Sequence, residues 1–136
     1  MQPADKKVLH EAIARNAGIV LSLPSAGILR HHKSRFLGEG PEGVWVEYPA
    51  AERSLVEELI GVQRPCGVSF KHGHIKVVYG SPALRHEPEY RINAEVTVPA
   101  LLMRFPDDIH AVQRRSNYRV SVPVDSELQV RIWRMG

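Results

Sequence analysis

Cys66-Gly67-Val68-Ser69-Phe70-Lys71-His72-Gly73-His74-Ile75-Lys76-Val77-Val78-Tyr79 is the stretch whose reading decides the fold. Two runs, Cys66 to Lys71 and His74 to Tyr79, flank the breaker His72-Gly73, so the segment predicts a tight β-hairpin. The same grammar extends on both sides. Upstream, Val44, Val46 and Tyr48 alternate with Trp45 and Glu47. That period of two marks a half-buried strand, because successive side chains leave a strand on opposite faces. Gly38-Glu39-Gly40-Pro41-Glu42-Gly43 is dense in breakers and predicts a loop. Ile19 to Leu23 predicts a short strand stopped by Pro24, Ser25-Ala26-Gly27 a turn, and Ile28 to Leu37 a longer, unusually polar strand.

Downstream, Arg91 to Val98 and Ala100 to Phe105 predict two strands punctuated by Pro99 and Pro106. Asp107-Asp108-Ile109-His110 predicts a polar turn able to begin a short helical segment. Val120, Val122 and Val124 alternate with polar neighbours, as do Leu128, Val130 and Ile132, giving one or two further strands. Two segments have helical spacing instead. In Ala4 to Asn16, Val8, Leu9, Ala12 and Ile13 share a face, with Asp5 to cap the start and Gly18 suited to the end. Ser54-Leu55-Val56-Glu57 matches a capping box, and Leu55, Val56, Leu59 and Ile60 form an apolar stripe before Gly61. The expectation is a mainly β fold of six to eight short strands with one or two short helices, as a small closed barrel or sandwich. Closure is favoured because so short a sheet would otherwise leave two unpaired edges.

The 136 residues predict one ordinary domain with a short extra element, and 43% hydrophobic content suffices for a core. A net charge of +3 suits an anionic partner without requiring one. The single cysteine, Cys66, excludes an intramolecular disulfide and fits a reducing compartment; in a strand after Pro65 it reads as a small core hydrophobe. The apolar runs are only a few residues long, so neither a signal peptide nor a membrane-spanning helix is expected, and the reading is a cytoplasmic protein.

Function is concentrated in Gln113-Arg114-Arg115-Ser116-Asn117-Tyr118-Arg119-Val120. Three guanidiniums within six residues repel one another unless solvent, a carboxylate or an anion separates them. The planar fork of Arg suits a phosphate or a guanine edge bidentately. Arg115 and Arg119, four apart, lie roughly 13 Å apart on one face if extended, and can converge in a turn. This stretch resembles the RxxxR motif that opens the PilZ domain, the bacterial receptor module for the second messenger cyclic di-GMP. The chain from about Gly18 to Val112 is similar to the N-terminal domain of YcgR-like flagellar brake proteins. The likeness rests on Lys33-Ser34-Arg35-Phe36-Leu37-Gly38, Gly43-Val44-Trp45-Val46-Glu47-Tyr48-Pro49 and Arg104-Phe105-Pro106.

The resemblance implies a split β-barrel of the flavin-binding type over residues 19–112, preceded by a helix (1–18). An RxxxR hinge (113–119) and the first strand or strands of a PilZ barrel (120–136) would follow. It implies cyclic di-GMP as ligand at Arg115 and Arg119, with Arg114 in a secondary role, and a flagellar motor or other effector protein as partner. In that family a downstream [DN]xSxxG supplies the other half of the site. The pattern does not occur in these 136 residues, so weak or undetectable binding is expected of this chain alone.

Other candidates are weighed against plainer readings. His72-Gly73-His74 could place two imidazoles on a metal, but no Cys or acidic residue nearby has ligand spacing, and a hairpin tip is preferred. No Ser-His-Asp, Cys-His, P-loop or dinucleotide signature occurs, so no catalytic residues, metal or cofactor are expected and the chain does not read as an enzyme. Arg30-His31-His32-Lys33-Ser34-Arg35 carries three formal positive charges, as a solvated edge strand or as an anion-facing surface. The alternative function is therefore a small basic barrel that binds RNA or DNA through Arg30, Lys33, Arg35 and exposed aromatics; Trp45 and Trp133 could stack on bases, although a barrel this small would more often bury Trp45. A flavin site would rest on fold analogy alone.

Overall fold

The computed structural model describes residues 3–112. Seven strands are present there: β1 (Gly18–Ser25), β2 (Ile28–Glu39), β3 (Val44–Glu47), β4 (Pro65–His72), β5 (Ile75–Arg91), β6 (Thr97–Met103) and β7 (His110–Val112). Two helices, α1 (Pro3–Ala14) and α2 (Arg53–Val62), accompany them, with a 3-10 turn at Ala50–Glu52 leading into α2. Every strand pairing is antiparallel. Six strands bond in a ring, β1 to β2, β3, β6, β5, β4 and back to β1. The fold is thus mainly β, a small closed barrel, and closure consumes the edges that a short sheet would expose.

Two long strands make the closure possible. The first part of β2, Ile28 to Arg35, pairs with β1, and Phe36 to Glu39 pairs with β3. In β5, Ile75 to Pro82 pairs with β4, and the part beyond Ala83 pairs with β6. Register shifts sit at both handovers, between Phe36 and Gly38 and between Ala83 and Arg85. A bulge bends its strand and re-aims it, which carries each long strand from one half of the barrel to the other. β7 pairs with Lys76 to Val78, the stretch of β5 that already has β4 on its other flank, so it continues the track of β6.

The period-two pattern fills the interior. Ile19, Leu21 and Leu23 point inward from β1, Val44 and Val46 from β3, Cys66, Val68 and Phe70 from β4, and Val77 and Tyr79 from β5. Phe36 and Phe70 meet edge to face at 5.4 Å. Leu9, Ala12 and Ile13 of α1 add to the core beside the Glu39 end of β2; Val56 and Leu59 of α2 add to it near the Arg30 end.

Several local expectations change. α1 ends at Ala14, and Asn16, not Gly18, terminates it with φ of 52°. The Ala17 amide returns to the Ala12 carbonyl and the Asn16 amide to that of Ile13, the paired bonds of a Schellman stop. Gly18 instead opens β1. That strand runs through Pro24, because the hairpin pairs Ser25 with Ile28 and leaves Pro24 at a position whose N–H would point away from β2. Ala26 and Gly27 both have positive φ, as a type I′ turn requires. The capping box over Ser54 is absent: α2 begins at Arg53, and Glu52 at its N-cap makes no side-chain capping bond, its carboxylate being engaged by Arg30 and His32.

β5, at 17 residues, is nearly three times as long as its predicted hairpin arm, crossing Pro82 and Pro88. Arg91 to Val98 is not a strand. Ile92 to Val96 turns instead, held by the Asn93 side chain accepting from the amides of Glu95 and Val96, and β6 then passes through Pro99 as one strand. Asp107-Asp108-Ile109 forms no helix; it precedes β7 directly. The expected strands at 120–136 lie outside the described residues. No helix among the described residues is long and apolar enough to cross a membrane.

Candidate functional site

Arg114, Arg115 and Arg119 lie outside the described residues. Their approach is described: β7 ends at Val112, directly opposite Lys76 on β5, and the arginine-rich stretch begins with the next residue in the sequence.

The polar strand β2 divides its charges between two faces. Arg30 and His32 point toward the end covered by α2 and converge on Glu52, with Nε and Nε2 at 2.7 and 2.8 Å from its Oε2. Hydrogen bonds from Arg30 and then His32 hold the Glu52 carboxyl below the usual carboxylate range. Arg35 Nε donates to Glu47 at 3.2 Å. On the outward face, the His31 ring meets the Ser22 hydroxyl at 2.8 Å, and Lys33 has no carboxylate partner among the described residues.

Lys33 borders a concavity of about 740 Å³ on the outer face of β2, β1, β4 and β5. The ladder sets its layout. Val20 of β1 is paired with Lys33 on one side and Ser69 on the other, so Val20, Ser69 and Ser22 form the floor. Lys71, on the same face as Ser69, lies directly opposite Lys76. Arg15, just past α1, reaches in with Nη2 donating to the Lys71 carbonyl at 2.9 Å. Four cations thus line the groove, and no Asp or Glu does.

A second polar cluster lies beneath α2. The rings of Tyr48 and His86 stack at 3.8 Å, and the Tyr48 hydroxyl donates to Glu57 Oε2 at 3.1 Å. Burial, followed by the Glu57 carboxylate, pushes the Tyr48 hydroxyl up to about 12. His86 Nε2 is buried without a partner among the described residues. Elsewhere, Trp45 is half-buried on the outer surface of β3, with the Arg85 guanidinium 5.4 Å from its ring and Tyr90 beside it. Cys66 is a buried free thiol whose burial pushes its pKa up to about 11, as a core residue should be. His72 closes β4 opposite Ile75, so the hairpin tip is Gly73-His74, one residue later than expected, with the positive φ on Gly73.

No family model matches the chain, and no curated protein does. Of the cations in the groove, sequence reasoning had singled out Lys33 alone. Arg15, Lys71 and Lys76 are scattered along the chain, and only the strand register brings them together.

Proposed function

We propose that this chain is a cyclic di-GMP-responsive regulatory module of the YcgR-like type. Arg115 and Arg119, assisted by Arg114, would hold the nucleotide's phosphates and guanine edges. The observation that carries the reading is sequential: QRRSNYRV follows without a gap upon β7, the strand that completes the track beside β6. A mainly β barrel of residues 18–112 agrees with what the resemblance implies for the domain ahead of the arginines. A dianionic ligand relieves the mutual repulsion of the guanidiniums and selects one geometry of the segment following the barrel. An effector, the flagellar motor in motility control, reads that geometry, and the setting is the bacterial cytoplasm.

The arginines are half of the site this family uses, so cyclic di-GMP should bind the 136-residue chain weakly, with a dissociation constant above the micromolar range in calorimetry. In a longer chain that continues into [DN]xSxxG, Arg115→Ala or Arg119→Ala should weaken binding by about 30- to 150-fold, the equivalent of about 2–3 kcal/mol. Unchanged affinity in both variants would refute the assignment. The nucleic-acid alternative fares worse on the residues first assigned to it, since Arg30 and Arg35 are engaged by Glu52 and Glu47.

A further inference from the structure

We propose that the groove bounded by Lys33, Lys71, Lys76 and Arg15 is an anion site built from residues other than the arginine motif, taking a small molecule that carries two neighbouring phosphates. Charge is the first argument. Three arginines elsewhere on this barrel are matched, Arg30 with Glu52, Arg35 with Glu47 and Arg85 with Glu42, and those without a carboxylate among the described residues, such as Arg53 and Arg64, do not line this groove. In the groove none of the four meets a carboxylate among the described residues, although Lys71 and Lys76 face each other directly across the ladder. Like charges so placed destabilise a sheet. An anion between them turns that repulsion into attraction.

Geometry is the second argument. Lys33 and Lys71 stand two strands and two residues apart, roughly 12 Å between Cα atoms from the standard strand spacings. Extended lysine side chains reach about half that distance, so ammoniums from both walls can close on one anion seated over Val20 and Ser69. Ser69 on the floor carries a hydroxyl able to donate to a further phosphate oxygen, while that of Ser22 is already paired with the His31 ring at 2.8 Å.

Size and surroundings select the class. A cavity of about 740 Å³ has the dimensions of a small-molecule site. A single-stranded nucleic acid would call for stacking platforms along a longer track. The partly buried aromatic pair on the outer surface, Trp45 and Tyr90, belongs to the other half of the barrel, on strands β3 and β5 beyond the bulge. Lysine point charges with hydroxyls suit a diphosphate better than a base edge.

The test titrates the full chain with inorganic pyrophosphate and with ADP by calorimetry, alongside a random single-stranded oligonucleotide. Saturable one-to-one binding is expected for pyrophosphate and ADP. Lys71→Ala combined with Lys76→Ala should weaken both at least tenfold, and Arg85→Ala, on the far half, should change neither. Lys76→Glu provides a check independent of folding. Opposite Lys71 it replaces a repulsive pair with an attractive one, so its melting temperature without ligand should equal or exceed that of the parent chain, while pyrophosphate should no longer raise it. Absence of saturable binding would overturn the proposal. So would pyrophosphate binding that survives Lys76→Glu, which would place the anion elsewhere, or an oligonucleotide that binds more tightly than ADP and depends on the same lysines.

Discussion

Replacing Gly43 by alanine should open the barrel at the seam between β3 and β6. A Cβ built there falls 2.1 Å from the Met103 carbonyl oxygen and 3.1 Å from Arg104 Cα, both backbone atoms that cannot swing aside. The strands must part by about 1.3 Å to restore ordinary contact. That movement strains the Val44–Met103 pairing and the Gly40 amide bond to the Gly43 carbonyl. Two backbone hydrogen bonds contribute about 1 kcal/mol each. Val44 and Met103 are both completely buried; wetting about 40 Å² between them adds about 1 kcal/mol at ~25 cal/mol per Å². Alanine recovers roughly 0.5–1 kcal/mol by restricting the unfolded chain. The net expectation is a loss of about 2–2.5 kcal/mol, read as a lowered urea midpoint with unchanged slope. Gly61→Ala supplies the control: it lies within α2, nothing approaches its Cβ within 4 Å, and it should stabilise by about 0.5–1 kcal/mol. If the two variants move the midpoint equally, steric closure at Gly43 is not what holds this seam.

Other consequences can be checked as directly. Cys66, buried with its thiol pKa raised to about 11, should react with a thiol reagent at pH 8 only after denaturant is added; rapid labelling of the native chain would contradict its place in the core. The Glu52 carboxyl is held below its unfolded value, so its contribution to stability is present above the usual carboxylate range and lost as pH falls through the lowered value. Glu52→Gln should therefore flatten the acid limb of a stability-against-pH curve, and an unaltered limb would argue against the Arg30–His32–Glu52 cluster. Asn16→Gly and Asn16→Val both lose the bond to the Phe36 carbonyl, but only valine is strained at the positive φ, so it should be less stable than the glycine variant by about 1–2 kcal/mol; equal effects in thermal melts would mean the left-handed stop is unimportant.

The barrel was legible where hydrophobic alternation is strict. Val44, Val46 and Tyr48, and the inward residues of both hairpins, fall on the core side as their spacing dictates, because a one-residue slip would expose the whole set. Several of the passages that misled contain proline. Pro82 and Pro88 conceal the reach of β5, since at a handover or a register shift the missing donor is of little consequence. The hairpin tip shows how much one residue matters. A turn at His72-Gly73 would pair Lys71 with His74, whereas the turn at Gly73-His74 sets Lys71 against Lys76. The basic groove follows from that step, which explains why it could not be read from the sequence. Arg30 and Arg35, read as exposed charge, proved to be partnered by acids distant in the chain. The arginines expected to carry function fall beyond the described residues.

The short strand β7 has a mechanical consequence. Three residues join it to β5, and the ring of six strands is complete without it. Tension arriving through the chain after Val112 loads that small ladder first, and it can peel away while the closed ring keeps its shape. β7 is therefore the one pairing among the described strands that can open without breaking the closed ring.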